Sequence, residues 1–222
     1  MASIDSYADI KDRYYDQAQE KTGVVSGIIK IMNDFVRKFD SRTNTMISER
    51  SKVAQNYIEG SDWYLQKNKE INDSFTNDIK VMREEATTKV QETVQGIKDK
   101  ISEIISASMP DGAMNDVTVI RSFAGMLSDA EVRVFLEKYK KNYLVTKSIF
   151  GAMSEGQDKR LGVNFISADD VAGSLDSIEE SALNMIRTYN GGFNYDVAVL
   201  LDGAWIQEVN DAFEAFVSVY AE

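Results

Sequence analysis

The stretch INDSFTNDIKVMREEATTKVQETVQGIKDKISEI, residues 71–104, decides the fold class of this chain. Its apolar residues recur at steps of three or four, which places them along one face of an α-helix. The spacing predicts one long helix that ends at the breaker SMPDG, residues 108–112. The apolar face consists of Ile71, Phe75, Ile79, Met82, Ala86, Val90, Val94, Ile97, Ile101 and Ile104.

A narrow apolar face on so long a helix has to be covered, because helix propensity alone rarely holds a helix together in water. Two partners are open: the first forty residues folding back as an antiparallel hairpin, or a second copy of the chain. We predict a polar turn at residues 41–44 and a second interruption at residues 60–62, where Ser61 or Asp62 would cap a new helix. The first forty residues carry a heptad-like stripe, interrupted only by its two lysines: Ile4, Tyr7, Lys11, Tyr14, Ala18, Lys21, Val25, Ile28, Met32, Phe35 and Phe39.

The sequence changes character after Pro110 and reads as a series of shorter helices. Ser128 and Glu131 have the spacing of a capping box, which predicts a helix start. Residues 161–165 and 197–201 also allow a short two-stranded β element. The predicted fold is therefore mainly all-α: an elongated N-terminal helical hairpin or coiled coil over residues 1–108, then a compact acidic helical domain over residues 109–222.

Charge is unevenly distributed along the chain, whose formal net charge is −11. Residues 161–222 hold eleven acids and one base, whereas residues 133–160 hold seven bases and three acids. The acidic third repels nucleic acid phosphates and anionic lipid, so we expect no nucleic acid partner and no membrane partner. It suits a basic protein surface, and it also serves simply as a solvated surface that keeps the molecule in solution.

The residue inventory argues against catalysis. The absence of cysteine excludes thiolate chemistry and zinc–thiolate sites, and the absence of histidine removes the commonest general base. Residues 151–158 have the glycine spacing of a phosphate loop, but Gln157 and Asp158 stand where that loop needs Lys and Ser or Thr. We therefore predict no enzymatic activity, no cofactor, and no catalytic, cofactor-binding or metal-binding residues.

The basic helix with Lys138, Lys140, Lys141 and Lys147 interleaves lysines with Tyr139 and Tyr143, a pattern that also occurs in nucleic acid binding. Its positive charge is small in a net acidic domain, so a solvated face that pairs with the acidic third is the preferred interpretation. Trp63 and Trp205 are expected in the core, and either one would be an interface anchor if it were exposed.

The N-terminus lacks the features of a secretory signal peptide, and no apolar run has the length of a bilayer. We expect the protein in the cytoplasm of the producing or host cell, or within a virus particle. The leading hypothesis is a non-enzymatic structural or assembly protein that binds protein partners or itself through long helical surfaces.

Bacteriophage scaffolding proteins and minor virion proteins have this overall character. We expect a homo-oligomer or a part of a larger assembly. A helical effector or adaptor of a bacterial secretion machine is the first alternative, and a carboxylate-dependent hydrolase is the second. The interface candidates are Ile71, Phe75, Ile79, Met82, Val90, Ile97, Ile101 and Trp205.

Overall fold

A computed structural model describes residues 23–107, 109–191 and 204–221 of the chain. Within these residues the backbone forms eight helices and no strand, so the prediction of a mainly all-α protein is confirmed. The helices are α1 (Ser26–Asn56), α2 (Asp62–Ser106), α3 (Ala113–Ser122), α4 (Asp129–Tyr139), α5 (Tyr143–Ala152), α6 (Gln157–Leu161), α7 (Ala168–Thr188) and α8 (Ala204–Tyr220).

The first of the two short strands that the sequence also allowed, residues 161–165, is not formed. Leu161 is the last residue of α6, and its side chain is buried. Gly162 follows with a φ of 65°, a left-handed conformation that ends the helix, and Val163 N donates to the carbonyl of Asp158 (3.1 Å). The alternating pattern at residues 161–165 therefore belongs to a helix end, and the strand that this pattern also allowed is not formed there. The second suggested strand, residues 197–201, lies outside the described residues.

The described residues divide into two compact units. Unit 1 takes its residues from Met1–Val94 and Asp176–Gln207, and unit 2 takes them from Gln95–Leu175 and Glu208–Glu222. This division does not coincide with the predicted domains 1–108 and 109–222, because unit 1 draws on both of those ranges and so does unit 2. Pro110 lies between the end of α2 at Ser106 and the start of α3 at Ala113.

Unit 1 contains a helical hairpin made of α1 and the first part of α2. Arg42 Nε donates to Asp78 (2.7 Å), and Arg50, further along α1, donates to Asn72, which lies earlier in α2. Because the partner's number falls as the donor's number rises, the two helices are antiparallel. The stripe on α2 thus has a partner helix within its own chain.

The turn of this hairpin lies at the second predicted interruption. α1 ends at Asn56, Gly60 takes a left-handed φ of 79°, and α2 begins at Asp62. Ser61 Oγ accepts a hydrogen bond from Tyr64 N (3.3 Å), so the predicted cap is confirmed. The turn predicted at residues 41–44 is wrong, because α1 runs through it and Thr43 Oγ1 donates back to the Phe39 carbonyl (3.0 Å) inside the helix.

Tyr189, just beyond the end of α7, fixes this segment to the hairpin within unit 1. Its ring centroid lies 5.0 Å from that of Phe39 and 6.1 Å from that of Phe35. Its hydroxyl donates to Asp40 (2.7 Å), and its carbonyl accepts from Arg83 Nη2 (2.9 Å). One residue thereby joins the segment after α7 to both α1 and α2.

In unit 2 the short helices α4 and α5 begin at side-chain caps. The predicted capping box is confirmed: Ser128 Oγ accepts from Glu131 N, and Glu131 accepts from Ser128 N. Asn142 Oδ1 caps α5 by accepting from Val145 N (3.1 Å). The core that these helices enclose consists of Ala113, Val117, Ile120, Leu127, Val132, Tyr139, Val145, Ile149, Ala152 and Leu161.

A second group of side chains in unit 2 surrounds Tyr143. Its ring lies 5.5 Å from Phe165, 5.5 Å from Phe216 and 5.3 Å from Tyr220, and its hydroxyl oxygen accepts from Ala168 N (3.1 Å). Burial raises the pKa of Tyr220 to about 12. This aromatic group packs α5, α8 and the start of α7 together.

Candidate protein-docking surfaces

Half of the eight predicted interface residues are buried in the folded chain, and the other half are partly buried. Ile79, Val90, Ile97 and Ile101 are buried, with Ile101 4% exposed and Val90 fully covered. Phe75 is partly buried because it packs against Phe39 and under the guanidinium of Arg42. The remaining candidates, Ile71, Met82 and Trp205, are also partly buried. Most of the apolar stripe of α2 is therefore covered by its own chain.

Unit 2 carries an exposed apolar groove between the end of α3 and α4. It encloses about 390 Å³. Phe123 is 50% exposed, Met126 71% and Val134 66%, although each of these side chains is large and apolar. The residues that line the groove are Val119, Phe123, Met126, Leu127, Ala130, Glu131, Val134 and Phe135. A connected apolar surface of this kind is typical of an interaction site, whereas isolated exposed apolar side chains are ordinary.

The turn between α3 and α4 holds these side chains in place. Gly125 takes a left-handed φ of 75°, and its N donates to the Ala152 carbonyl (2.7 Å). Met126 N donates to the Phe123 carbonyl (2.9 Å), which closes the turn. Leu127 enters the core directly afterwards, so Phe123 and Met126 are left facing outward on a fixed backbone. The groove is built into the fold.

A signal for this groove is present in the sequence of α4. Val132 and Val134 are two residues apart, and side chains at that spacing lie on opposite faces of a helix. Only one face can enter the core: Val132 is fully buried, and Val134 is exposed. The spacing of these two valines therefore indicates a second apolar face on the helix.

The charged side chain that lines the groove, Glu131, is already engaged. Its Oε2 accepts from Ser128 N (2.8 Å) and from Ser128 Oγ (2.6 Å). The Ser128 hydroxyl, and then the Ser128 backbone N–H, hold the pKa of Glu131 below its ordinary value. A carboxylate that stays ionised and hydrogen-bonded is a poor general acid. The groove is suited to binding apolar groups.

The hairpin turn of unit 1 is a second exposed apolar surface. Ile58 is 83% exposed, Trp63 63% and Leu65 57%. Both tryptophans were expected in the core. Trp205 is partly buried, whereas Trp63 is exposed and does not meet that expectation. Trp63 is the tryptophan placed to anchor a partner.

An acidic groove lies between α2 and α7 in unit 1 and encloses about 850 Å³. Four carboxylates line it, from Glu84, Asp176, Glu179 and Glu180. Among the described parts of the chain, no group of three or more acidic side chains is placed to hold a metal ion. The groove is a charged surface without the geometry of a metal site.

The segment with phosphate-loop spacing has a structural role in unit 2. Gln157 is only 1% exposed, and its Nε2 donates to the Leu127 carbonyl (2.9 Å) and to Asp129 Oδ1 (3.0 Å). Its Oε1 accepts from Ser154 N (2.9 Å). Gln157, which stands in place of the phosphate-binding lysine, thus makes hydrogen bonds that join α6 to the start of α4.

No protein-family model matches this sequence, and comparison with curated proteins and with solved structures finds no significant similarity. Among the helices of residues 23–107, 109–191 and 204–221, none combines the length and the apolar character that a bilayer crossing requires.

Proposed function

We propose that this chain is a non-enzymatic structural or assembly protein that binds a protein partner through the apolar groove of unit 2. The observation that carries the proposal is the exposure of Phe123, Met126 and Val134 together on a fixed backbone. Exposing several large apolar side chains to water is unfavourable, at about 25 cal/mol per Å² of apolar surface, and a partner that covers them recovers this free energy.

The chemistry of the groove favours a helix of a partner protein over a small ligand. A volume of about 390 Å³ would also hold a small molecule, but such sites carry polar groups that orient the ligand. Glu131, the charged side chain lining the groove, is occupied by Ser128. A groove beside two helices accommodates apolar side chains from one face of a third helix, which is a common mode of recognition.

The leading setting is a bacteriophage scaffolding or minor virion protein, and a helical effector or adaptor of a bacterial secretion machine is the alternative. Both use non-enzymatic helical surfaces, and the all-α fold is compatible with either. A carboxylate-dependent hydrolase is the second alternative. The contacts of two carboxylates, Asp116 and Glu131, are explained by an ion pair and by helix capping.

Site-specific photocrosslinking in the producing cells tests the proposal. A photoreactive residue at Met126 is expected to give one discrete adduct with another protein, and the same residue at Ser102, exposed on α2, is expected to give none. The added substitution Val134→Glu places a charge in the groove and should reduce the adduct about tenfold or more. Equal adducts from both positions, or an adduct that persists with Val134→Glu, would contradict the proposal.

A further inference from the structure

We propose that the hairpin turn of unit 1 docks onto a zwitterionic lipid surface and places its apolar side chains among the lipid headgroups. The four large apolar side chains that it exposes are those of Tyr57, Ile58, Trp63 and Leu65. Ile58, at 83%, is the most exposed large apolar side chain among the described residues. The hairpin turn lies in unit 1 and the apolar groove in unit 2, so this inference does not depend on the proposed function.

The backbone of the hairpin turn is fixed by hydrogen bonds. Ser61 N donates to the Ile58 carbonyl (3.0 Å), and Leu65 N donates to the Ser61 carbonyl (3.0 Å). Gly60 takes the left-handed φ of 79° that this course of the chain requires. Side chains that project from a fixed backbone lose little conformational entropy when they dock.

The apolar side chains lie around the end of the hairpin rather than along one side of it. Trp63 and Leu65 are two residues apart in the first turn of α2, so they project from opposite faces of the helix. Both are exposed, Trp63 by 63% and Leu65 by 57%. A partner that lies against one side of the hairpin covers only one of them, whereas a surface that meets the hairpin end-on covers both.

A lipid surface is a partner that meets the hairpin in this way. Trp and Tyr are enriched where a membrane meets water, because their rings combine an apolar body with a polar group, and Ile58 and Leu65 add aliphatic side chains. A stable protein interface buries about 800 Å² per partner and involves about 20–30 residues on each side. A second copy that met the chain turn to turn would cover mainly four side chains of each molecule, which is too few for a stable dimer.

The charges around the hairpin turn fit a zwitterionic headgroup. Residues 50–70 hold four bases and three acids, in a chain whose net charge is −11. Lys52 and Lys69 are exposed on the two flanking helices, and Glu59 and Asp62 are exposed at the turn itself. A phosphatidylcholine headgroup offers a phosphate to the lysines and an ammonium group to the carboxylates.

The expectation of no membrane partner rests on the acidic third, residues 161–222, which repels anionic lipid. A zwitterionic surface has no net charge and does not exert this repulsion. The contact is then driven by burial of apolar side chains, so binding should change little with salt concentration.

Flotation of the full-length chain with phosphatidylcholine vesicles tests this inference. The wild type is expected to float with an excess of vesicles, both at low salt and at about 1 M salt, where the Debye length is about 3 Å. Vesicles of brominated phosphatidylcholine should quench part of the tryptophan fluorescence. Trp63→Phe should still float, but it should lose this quenching. A wild type that does not float, or whose quenching is unchanged by Trp63→Phe, would overturn the inference.

Paired substitutions locate the contact. Ile58→Glu with Leu65→Glu places two charges in the apolar surface and should reduce vesicle binding about tenfold or more. The matched control is Ile47→Glu with Val81→Glu, at positions 57% and 43% exposed on α1 and α2 away from the turn. It changes the net charge by the same amount and should bind vesicles like the wild type. Equal losses in the two variants, or no loss in the turn variant, would overturn the proposed contact.

A second copy at the hairpin turn is the competing outcome. Without lipid, Ile58→Glu with Leu65→Glu should sediment like the wild type, because the turn makes no contact between copies. A wild-type oligomer that these two substitutions dissociate into the 24.9 kDa monomer would assign the turn to a second copy and overturn the inference.

Discussion

At the scale of single residues, Glu131 both lines the apolar groove and closes the first turn of α4. The same hydrogen bonds that hold its carboxylate to Ser128 fix the backbone from which Val134 projects in the next turn of the helix. A groove whose wall is capped in this way needs little rearrangement to bind, so less conformational entropy is lost on binding.

The first prediction concerns this cap. Ser128→Ala removes an N-cap and should lower the free energy of unfolding by about 0.5–2 kcal/mol at neutral pH, measured by urea denaturation. Ser102→Ala, a serine whose hydroxyl only bonds back within α2, should change it by less than about 0.5 kcal/mol. Equal effects of the two substitutions would mean that the capping box does not stabilise α4.

The pH dependence of the same pair follows from the lowered pKa of Glu131. A carboxyl group whose pKa is lower in the folded state contributes stability above its ordinary pKa, and loses it as the pH falls through the folded value. The difference between the wild type and Ser128→Ala should therefore shrink in acid. A difference that grows in acid would contradict the assignment.

Helix starts can be predicted from the sequence because a cap involves only neighbouring residues. Ser128, Glu131 and Ser61 are identified in this way, and the structure has the hydrogen bonds. The prediction fails at residues 41–44 for the same reason, since polar residues suit the outer face of a helix as well as a turn. Their place is decided by distant contacts, such as that of Arg42 with Asp78, which local sequence does not reveal.

At the scale of the elements, periodicity predicts that α2 buries one face, and the structure agrees along most of that face. Periodicity does not show which element covers this apolar face. From periodicity alone, the cover is either a neighbouring helix or a second copy of the chain. The antiparallel contact with α1 provides a cover from the same chain in unit 1. Binding is then expected at exposed apolar surfaces, such as the apolar groove of unit 2 and the hairpin turn around Trp63.

The second prediction concerns the contribution of this burial to the free energy of unfolding. Ile97→Ala removes a side chain that is 1% exposed and should lower the free energy of unfolding by about 2–5 kcal/mol. Val81→Ala, on the same helix but 43% exposed, should lower it by less than about 0.5 kcal/mol. Chemical denaturation of the full-length chain distinguishes the two, and similar values would contradict the burial of the stripe.

At the scale of the whole molecule, the sequence predicts the helical class and the uneven distribution of charge. It does not predict which distant segments come together in each compact unit. Unit 1 and unit 2 each combine segments that are far apart in the sequence, as Arg83 and Tyr189 illustrate. The acidic groove and the apolar groove arise only when such segments or neighbouring short helices are brought together. Counting charges along the chain locates the acidic and basic segments without showing that either forms a surface.

The central claim is that the apolar groove is covered by a partner protein in the cell. Two methionines allow a direct measurement, since Met126 lines the groove and is 71% exposed, whereas Met114 is 65% exposed and does not line it. Oxidative footprinting should modify both at similar rates in the purified protein, and should spare Met126 but not Met114 in the producing cells. Equal modification of the two methionines in those cells would contradict the claim.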